Sequence, residues 1–218
     1  MVTNSNPVSP NAGYPATLEI DYPDRNLNRL TSFFRIFAII PIAIILALLT
    51  DASWSWGSHM EGWRITGMAA GGLLFLPLVL TILFRKKYPK WWYDWNLAIT
   101  RFSYRVTSYF LLLRDEYPAI EEEQAIHLEL TYPDAANLGR GWPLIKWFLV
   151  IPHIIVLFFL GIAAFVVWVI AWFAILFTGR YPKSLFDFTI GVMRWGLRVD
   201  AYAILLITDK YPAFSLKP

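Results

Sequence analysis

Leu83–Arg105, LFRKKYPKWWYDWNLAITRFSYR, and Leu176–Arg198, LFTGRYPKSLFDFTIGVMRWGLR, decide how this chain is read. Aligned without a gap they share the Leu-Phe start, the Tyr-Pro pair, a lysine, an aspartate and two arginines. Three further pairs of blocks extend the match outward. LEIDYPD (Leu18–Asp24) aligns with LELTYPD (Leu128–Asp134), and LLLRDEYPAI (Leu111–Ile120) with LLITDKYPAF (Leu205–Phe214). FRIFAIIPI aligns with IKWFLVIPH, which sets Arg35 on Lys146 and Pro41 on Pro152. The blocks occur in the same order twice, so the chain reads as a tandem duplication of about a hundred residues.

The punctuation repeats too. Seven of the eleven tyrosines precede a proline: Tyr14, Tyr22, Tyr88, Tyr117, Tyr132, Tyr181 and Tyr211. Proline biases the preceding residue away from helix, and its own missing N–H costs little ahead of a helix. Tyr88 and Tyr181 therefore mark the ends of apolar segments, with rings placed to sit at headgroup level.

The 218 residues are 57% hydrophobic and 16% charged, too apolar for an ordinary soluble fold. Eleven tryptophans and sixteen phenylalanines fit the water–lipid boundary, which favours aromatic rings. With no cysteine, disulfides, thiolate metal sites and thiol catalysis are excluded. The expected organisation begins with a disordered or loosely attached tail at 1–16. Repeat 1 (17–120) follows, with spans at 30–49 and 65–84 and an amphipathic helix at about 90–106. Repeat 2 (121–218) has an amphipathic helix at about 183–199. Its apolar stretch 144–177 could be one long helix or a fold-back near Gly161 into spans at about 144–160 and 162–177. The fold-back is preferred because it puts Arg35, Lys146, Arg180 and Lys183 on one side, as the positive-inside rule asks. TLEID and IHLEL alternate like strands, and YFLLLRD and YAILLITD read as a second strand in each half. The fold expected is a mainly α membrane protein of two parallel repeats. Each is strand, transmembrane helical hairpin, amphipathic interfacial helix and strand, and the two share a small cytosolic β-sheet.

The paired YPD…(R/K)…P and YPK…D…R…R…YPA blocks resemble the bacterial membrane family catalogued as domain of unknown function 4389. The resemblance covers nearly all of the chain after residue 17. It implies a membrane location and carries over no activity, substrate or catalytic residue.

Asp94, Arg101 and Arg105 match Asp187, Arg194 and Arg198, and spacings of seven and four put each trio on one helix face. The bland reading is an amphipathic surface helix whose arginines snorkel or pair with the aspartate of the other repeat. The sharper one is that Arg101, Arg105, Arg194 and Arg198 form a site for anionic lipid headgroups or an acidic partner. His153 follows Pro152 inside an apolar stretch, and no Asp or Glu lies in the spans to act as its relay partner. A neutral ring bonded to a carbonyl freed by Pro152 is the simpler account. No hydrolase triad, zinc-protease motif or phosphate loop is present, and His59 and Glu61 make a weak metal pair. The expectation is a non-enzymatic, multi-pass protein of the bacterial cytoplasmic membrane with both termini inside and no cofactor or metal. It would be a structural or accessory subunit that docks on a membrane complex, self-associates or organises anionic lipid, without nucleic acid as a partner. A small transporter or channel running along the pseudo-twofold or an oligomer axis is the alternative.

Overall fold

The structure is a computed structural model and describes residues 13–23, 26–50, 81–85, 87–119, 122, 124–134, 139 and 142–217. Most of the second expected span, its GMAAGG patch, and the preceding loop with His59 and Glu61 lie outside the described residues. So do residues 1–12 of the expected tail.

Strand β1 (Ala16–Ile20) and strand β2 (Ile126–Leu130) pair antiparallel, with Leu18 opposite Leu128 at the centre. Strict alternation of apolar and polar residues sends Ala16, Leu18, Ile20, Ile126, Leu128 and Leu130 to one buried face. The two strand-like pieces near the start of each half therefore form the small sheet together. The tail is shorter than expected at its C-terminal end. Ala16 is buried in β1, and the Tyr14 hydroxyl donates to the Arg198 carbonyl at 3.1 Å.

Helix α1 (Arg29–Ala38) is capped by Asn28, whose side chain accepts from the Leu30 and Thr31 amides. It gives way at Ile39 to α2 (Ile40–Thr50), where Pro41 falls in the first turn and its missing N–H is tolerated. A π-helical turn, Thr81–Arg85, leads toward α3 (Lys90–Phe110). After β2 come α4 (Trp142–Thr178) and α5 (Lys183–Ala203). Both α3 and α5 begin directly after the proline of a Tyr-Pro pair, with Pro89 and Pro182 extended at ψ 127°. Two stretches, Arg29–Ala47 and Ile145–Thr178, are helices long and apolar enough to cross a membrane. Among the described residues the fold is mainly helical, with a small two-stranded sheet.

Three expectations are corrected. The fold-back near Gly161, with spans at about 144–160 and 162–177, is replaced by one uninterrupted helix, α4. A tight turn there would strand several backbone N–H and C=O groups among apolar side chains with nothing to satisfy them. One glycine weakens a helix by only about 1 kcal/mol, and Pro152 removes one hydrogen bond, so helix continuity wins.

YFLLLRD and YAILLITD, expected as strands, are not strands. Helices α3 and α5 end at Phe110 and Ala203, two and three residues before a backbone turn at Leu112 (φ 65°) and Leu206 (φ 54°). This reversal drives Leu112, Leu113, Leu205 and Leu206 into the main core, with Phe186, Ile190 and Leu197 of α5 and the buried sheet face. The apolar run plugs the core instead of pairing at an edge.

Finally, the rings of Tyr88 and Tyr181 are 5% and 1% exposed, not displayed at a headgroup level. Each takes part in a link between distant parts of the chain. The Tyr132 hydroxyl donates to the Tyr88 carbonyl at 2.7 Å, and the Tyr22 hydroxyl donates to the Tyr181 carbonyl.

Candidate functional site

The four arginines singled out by spacing lie on α3 (Arg101, Arg105) and α5 (Arg194, Arg198). They spend donors on backbone carbonyls, and they do so in matched fashion. Arg101 Nε on α3 donates to the Leu128 carbonyl at 2.9 Å, and Arg194 Nε on α5 donates to the Leu18 carbonyl at 2.7 Å. Leu18 and Leu128 are opposite each other in the sheet, so each helix clamps the strand from the other half at its centre. Arg105 Nη1 reaches the Ala119 carbonyl at 2.6 Å. Arg198 Nη2 reaches the carbonyls of Ser215 at 2.7 Å and Lys217 at 2.9 Å. Burial lowers the pKa of both Arg105 and Arg198 from the usual arginine value. These carbonyl bonds secure the segments that follow α3 and α5. Asp94 and Asp187 lie on exposed helix faces, and neither forms an ion pair among the described residues. Their expected pairing with arginines of the other half is absent there.

A second matched set was not assembled from sequence. Arg35 on α1 is 2% exposed and pairs with Asp115; its Nη1 donates to the carbonyls of Tyr109 at 3.2 Å and Arg114 at 2.9 Å. Its guanidinium lies 4.5 Å from the centre of the Tyr109 ring. Lys146 near the start of α4 is fully buried and pairs with Asp209 at 2.7 Å. Its ammonium donates to the Thr208 carbonyl at 2.6 Å and lies 4.9 Å from the Tyr202 ring centre. The second oxygen of each aspartate accepts a backbone N–H just ahead of the apolar helix, from Asn28 and from Gly139, both at 2.8 Å. Tyr109 meets Tyr117 edge-on, as Tyr202 meets Tyr211. Every member of one cluster aligns in sequence with its equivalent in the other. The usable signal was the aspartate retained at matched places in LLLRDEYPAI and LLITDKYPAF beside the retained cation.

Lys146, Arg194, Arg198 and Asp209 all fall in the stretch whose blocks prompted the family resemblance. Residues 143–215 match DUF4389, a domain of unknown function. The aligned residues of the first half lie outside that match. No curated protein and no solved structure matches the chain.

His153 lies in the DUF4389 segment, on α4, and is fully buried. Its bond differs from the one expected. The Trp195 indole N–H donates to His153 Nδ1 at 3.0 Å, so Nδ1 carries a lone pair and the neutral ring holds its proton on Nε2. The ring stacks on Phe214 with centroids 3.9 Å apart and lies 4.8 Å from that of Tyr211. Pro152 thus leaves the histidine to α5, not to a freed carbonyl. The aligned position in the first half is Ile42, buried against Phe102, which aligns with Trp195. One half has an apolar pair where the other has a hydrogen-bonded pair. His153→Ile alone strands the indole N–H and should cost about 1–3 kcal/mol. Adding Trp195→Phe should recover most of the loss, a coupling read from a double-mutant cycle of unfolding in detergent. Strictly additive losses would rule the bond out as the source.

Among the described residues no group of three His, Asp or Glu side chains could hold a metal ion. His127 on β2 stands exposed beside Asp21 at 3.5 Å.

Proposed function

We propose that the chain is a non-enzymatic integral protein of the bacterial cytoplasmic membrane, built of two parallel repeats, with both termini inside. Its role is that of a structural or accessory subunit that docks on a membrane complex or organises anionic lipid around its apolar helices. The observation carrying this reading is the division of labour between surface and interior. Helix α4 turns a largely apolar surface outward, with Phe148 and Phe177 75% and 77% exposed, and α1 exposes Phe33, Phe34 and Phe37. Apolar faces of this extent on a folded chain call for lipid or a partner. The buried cations, by contrast, already serve as internal ties: Arg35, Lys146 and Arg198 each hold another part of the chain. The two-repeat arrangement is supported by the matched arginine clamps, ion pairs and Tyr-Pro bonds.

Isolation from native membrane in a mild detergent tests the role. A stoichiometric companion protein, or anionic lipid enriched over the bulk membrane, is the expected result. A chain that returns alone with bulk-like lipid, and conducts ions or solute in liposomes, would overturn it in favour of a transporter. Arg101→Gln tests lipid binding at the most exposed of the four arginines, with Arg101→Lys, which keeps the charge but not the guanidinium bond to the Leu128 carbonyl, as the control for the lost clamp. Arg101→Gln should lose part of the preference for anionic liposomes over neutral ones and Arg101→Lys should keep it; equal losses in both would assign Arg101 to the strand clamp alone.

A further inference from the structure

The two ends of α4 are held by opposite ends of the same helix, α5. At the start of α4 the Trp147 indole donates to the Ala203 carbonyl at 3.2 Å, and Lys146 bonds to Thr208 and Asp209 just beyond α5. At its far end α4 stops at Thr178, Gly179 turns the chain at φ 75°, and α5 starts at Lys183. This corner is fastened to the β1–α1 connection, where the Leu27 amide donates to the Gly179 carbonyl at 2.8 Å and Arg180 Nε donates to Asn26 at 2.9 Å. The two helices therefore run antiparallel, and α5, about 30 Å long, sets the direction of the longer α4, about 55 Å.

Helix α5 cannot stand upright in a bilayer. It carries Asp187, Arg194, Arg198 and Asp200, packs on β1, and ties Arg194 to the strand. Ionisable groups of that number and a sheet edge are not accommodated in hydrocarbon. A helix of this kind lies along the membrane surface, and α4, tethered at both its ends, must share its general direction. Between those tethers α4 has no charged residue from Trp147 to Gly179, and Phe158, Phe159, Ile162 and Phe165 are exposed.

From this we infer that α4 does not cross the bilayer: it dips into one leaflet as a tethered apolar bow, and enters and leaves on the side where the sheet, α3 and α5 lie. The ligand of its outward face is the acyl region of a lipid monolayer. The buried Lys146–Asp209 pair ties one end to the polar body of the chain, and the exposed Arg180 sits at the polar boundary at the other. This inference rests on the membrane reading above and replaces a spanning α4 with a one-sided one. It also retains the same-side placement of Lys146, Arg180 and Lys183 that their charge asks for.

The absence of native cysteine makes a direct test possible. Single-cysteine variants Thr131→Cys before α4, Gly161→Cys within it and Lys183→Cys after it all replace exposed residues. A Cβ at Gly161 meets nothing within 4 Å. In sealed membrane vesicles of known orientation, a membrane-impermeant maleimide should label Thr131→Cys and Lys183→Cys from the same face. Gly161→Cys should resist it from both faces and react with a lipid-soluble maleimide. Labelling of Thr131→Cys and Lys183→Cys from opposite faces would overturn the bow while leaving an integral protein that spans. Release of the chain by alkaline carbonate, with all three cysteines open to the impermeant reagent, would overturn the membrane reading itself. Shielding of all three would put the sheet in hydrocarbon and overturn the bow as well.

Discussion

Asp209→Asn should destabilise the folded chain by about 3–5 kcal/mol, the cost of removing one partner from a buried ion pair. The Lys146 ammonium it faces is fully buried. With a neutral amide in place of the carboxylate it has no counter-charge, only neutral acceptors such as the Thr208 carbonyl and the face of the Tyr202 ring, and cannot recover the hydration it gave up on folding. The one oxygen that asparagine keeps must also serve the Gly139 amide, which leads into α4 and donates to the second carboxylate oxygen in the parent. Asp115→Asn should cost less: Arg35 retains the carbonyls of Tyr109 and Arg114, and its charge is spread over the guanidinium plane. The double variant Lys146→Met with Asp209→Leu should regain most of the stability lost by Asp209→Asn. Replacing both members of a buried pair with apolar groups of similar volume is often neutral. Thermal unfolding in detergent, followed by tryptophan fluorescence, ranks the three. An Asp209→Asn protein as stable as its parent would mean that water reaches Lys146 and that the pair does not anchor α4.

That pair also marks the limit of what could be read from residues alone. The alignment of Arg35 with Lys146 was legible, and so was that of the two YP segments. The partner was not: Asp115 lies 80 residues beyond Arg35, and the helical segments between them give no sign of the separation in space. Arg101 and Arg194 fell on the right helix faces, because a 3.6-residue period fixes a face. What the faces meet depends on tertiary packing, and the acceptors proved to be carbonyls, which have no side-chain signature. The same holds for Tyr22 and Tyr132, whose hydroxyls bond to the backbone of the Tyr-Pro corners at Tyr181 and Tyr88. Alternation in TLEID and IHLEL identified the strand pair, since a half-buried strand must alternate. The apolar runs around Leu112 and Leu206 have no such period, and there β propensity gave way to burial. For α4, charge spoke for ends on one side, and the need to satisfy backbone N–H and C=O groups keeps a single helix. A bowed helix tethered at both ends reconciles the two without a turn at Gly161.

The pH dependence of stability should centre on Asp200, which lies on α5 where its aligned residue on α3 is Thr107. Its side chain is half-buried by surface, yet protein surrounds the carboxyl, and burial pushes its pKa up from 3.8 to about 7. Burial, followed by the charge of Asp200, also raises the phenol of Tyr104, whose hydroxyl links α3 to the Met193 carbonyl on α5. The folded state thus binds the Asp200 proton more tightly than the unfolded chain does. Linkage then sets the sign: the contribution is most favourable below about pH 4, declines as pH rises toward about 7, and levels off above it. The slope between those limits is at most about 1.4 kcal/mol per pH unit for one group. Asp200→Asn, or Asp200→Thr in imitation of the first half, removes the titration. Either variant should gain stability over the parent at pH 8 by a few kcal/mol, with the gain shrinking steadily toward pH 4. Unfolding free energies measured for parent and variant across pH 4–9 give the difference curve directly, which cancels every carboxylate the two proteins share. Parallel curves would mean that Asp200 titrates alike in folded and unfolded chains, with water at the α3–α5 junction. A converging pair would show that burial at the junction holds the Asp200 proton up to about pH 7. The first half avoids that cost with a threonine whose hydroxyl bonds to the Ser103 carbonyl of its own helix at 2.8 Å.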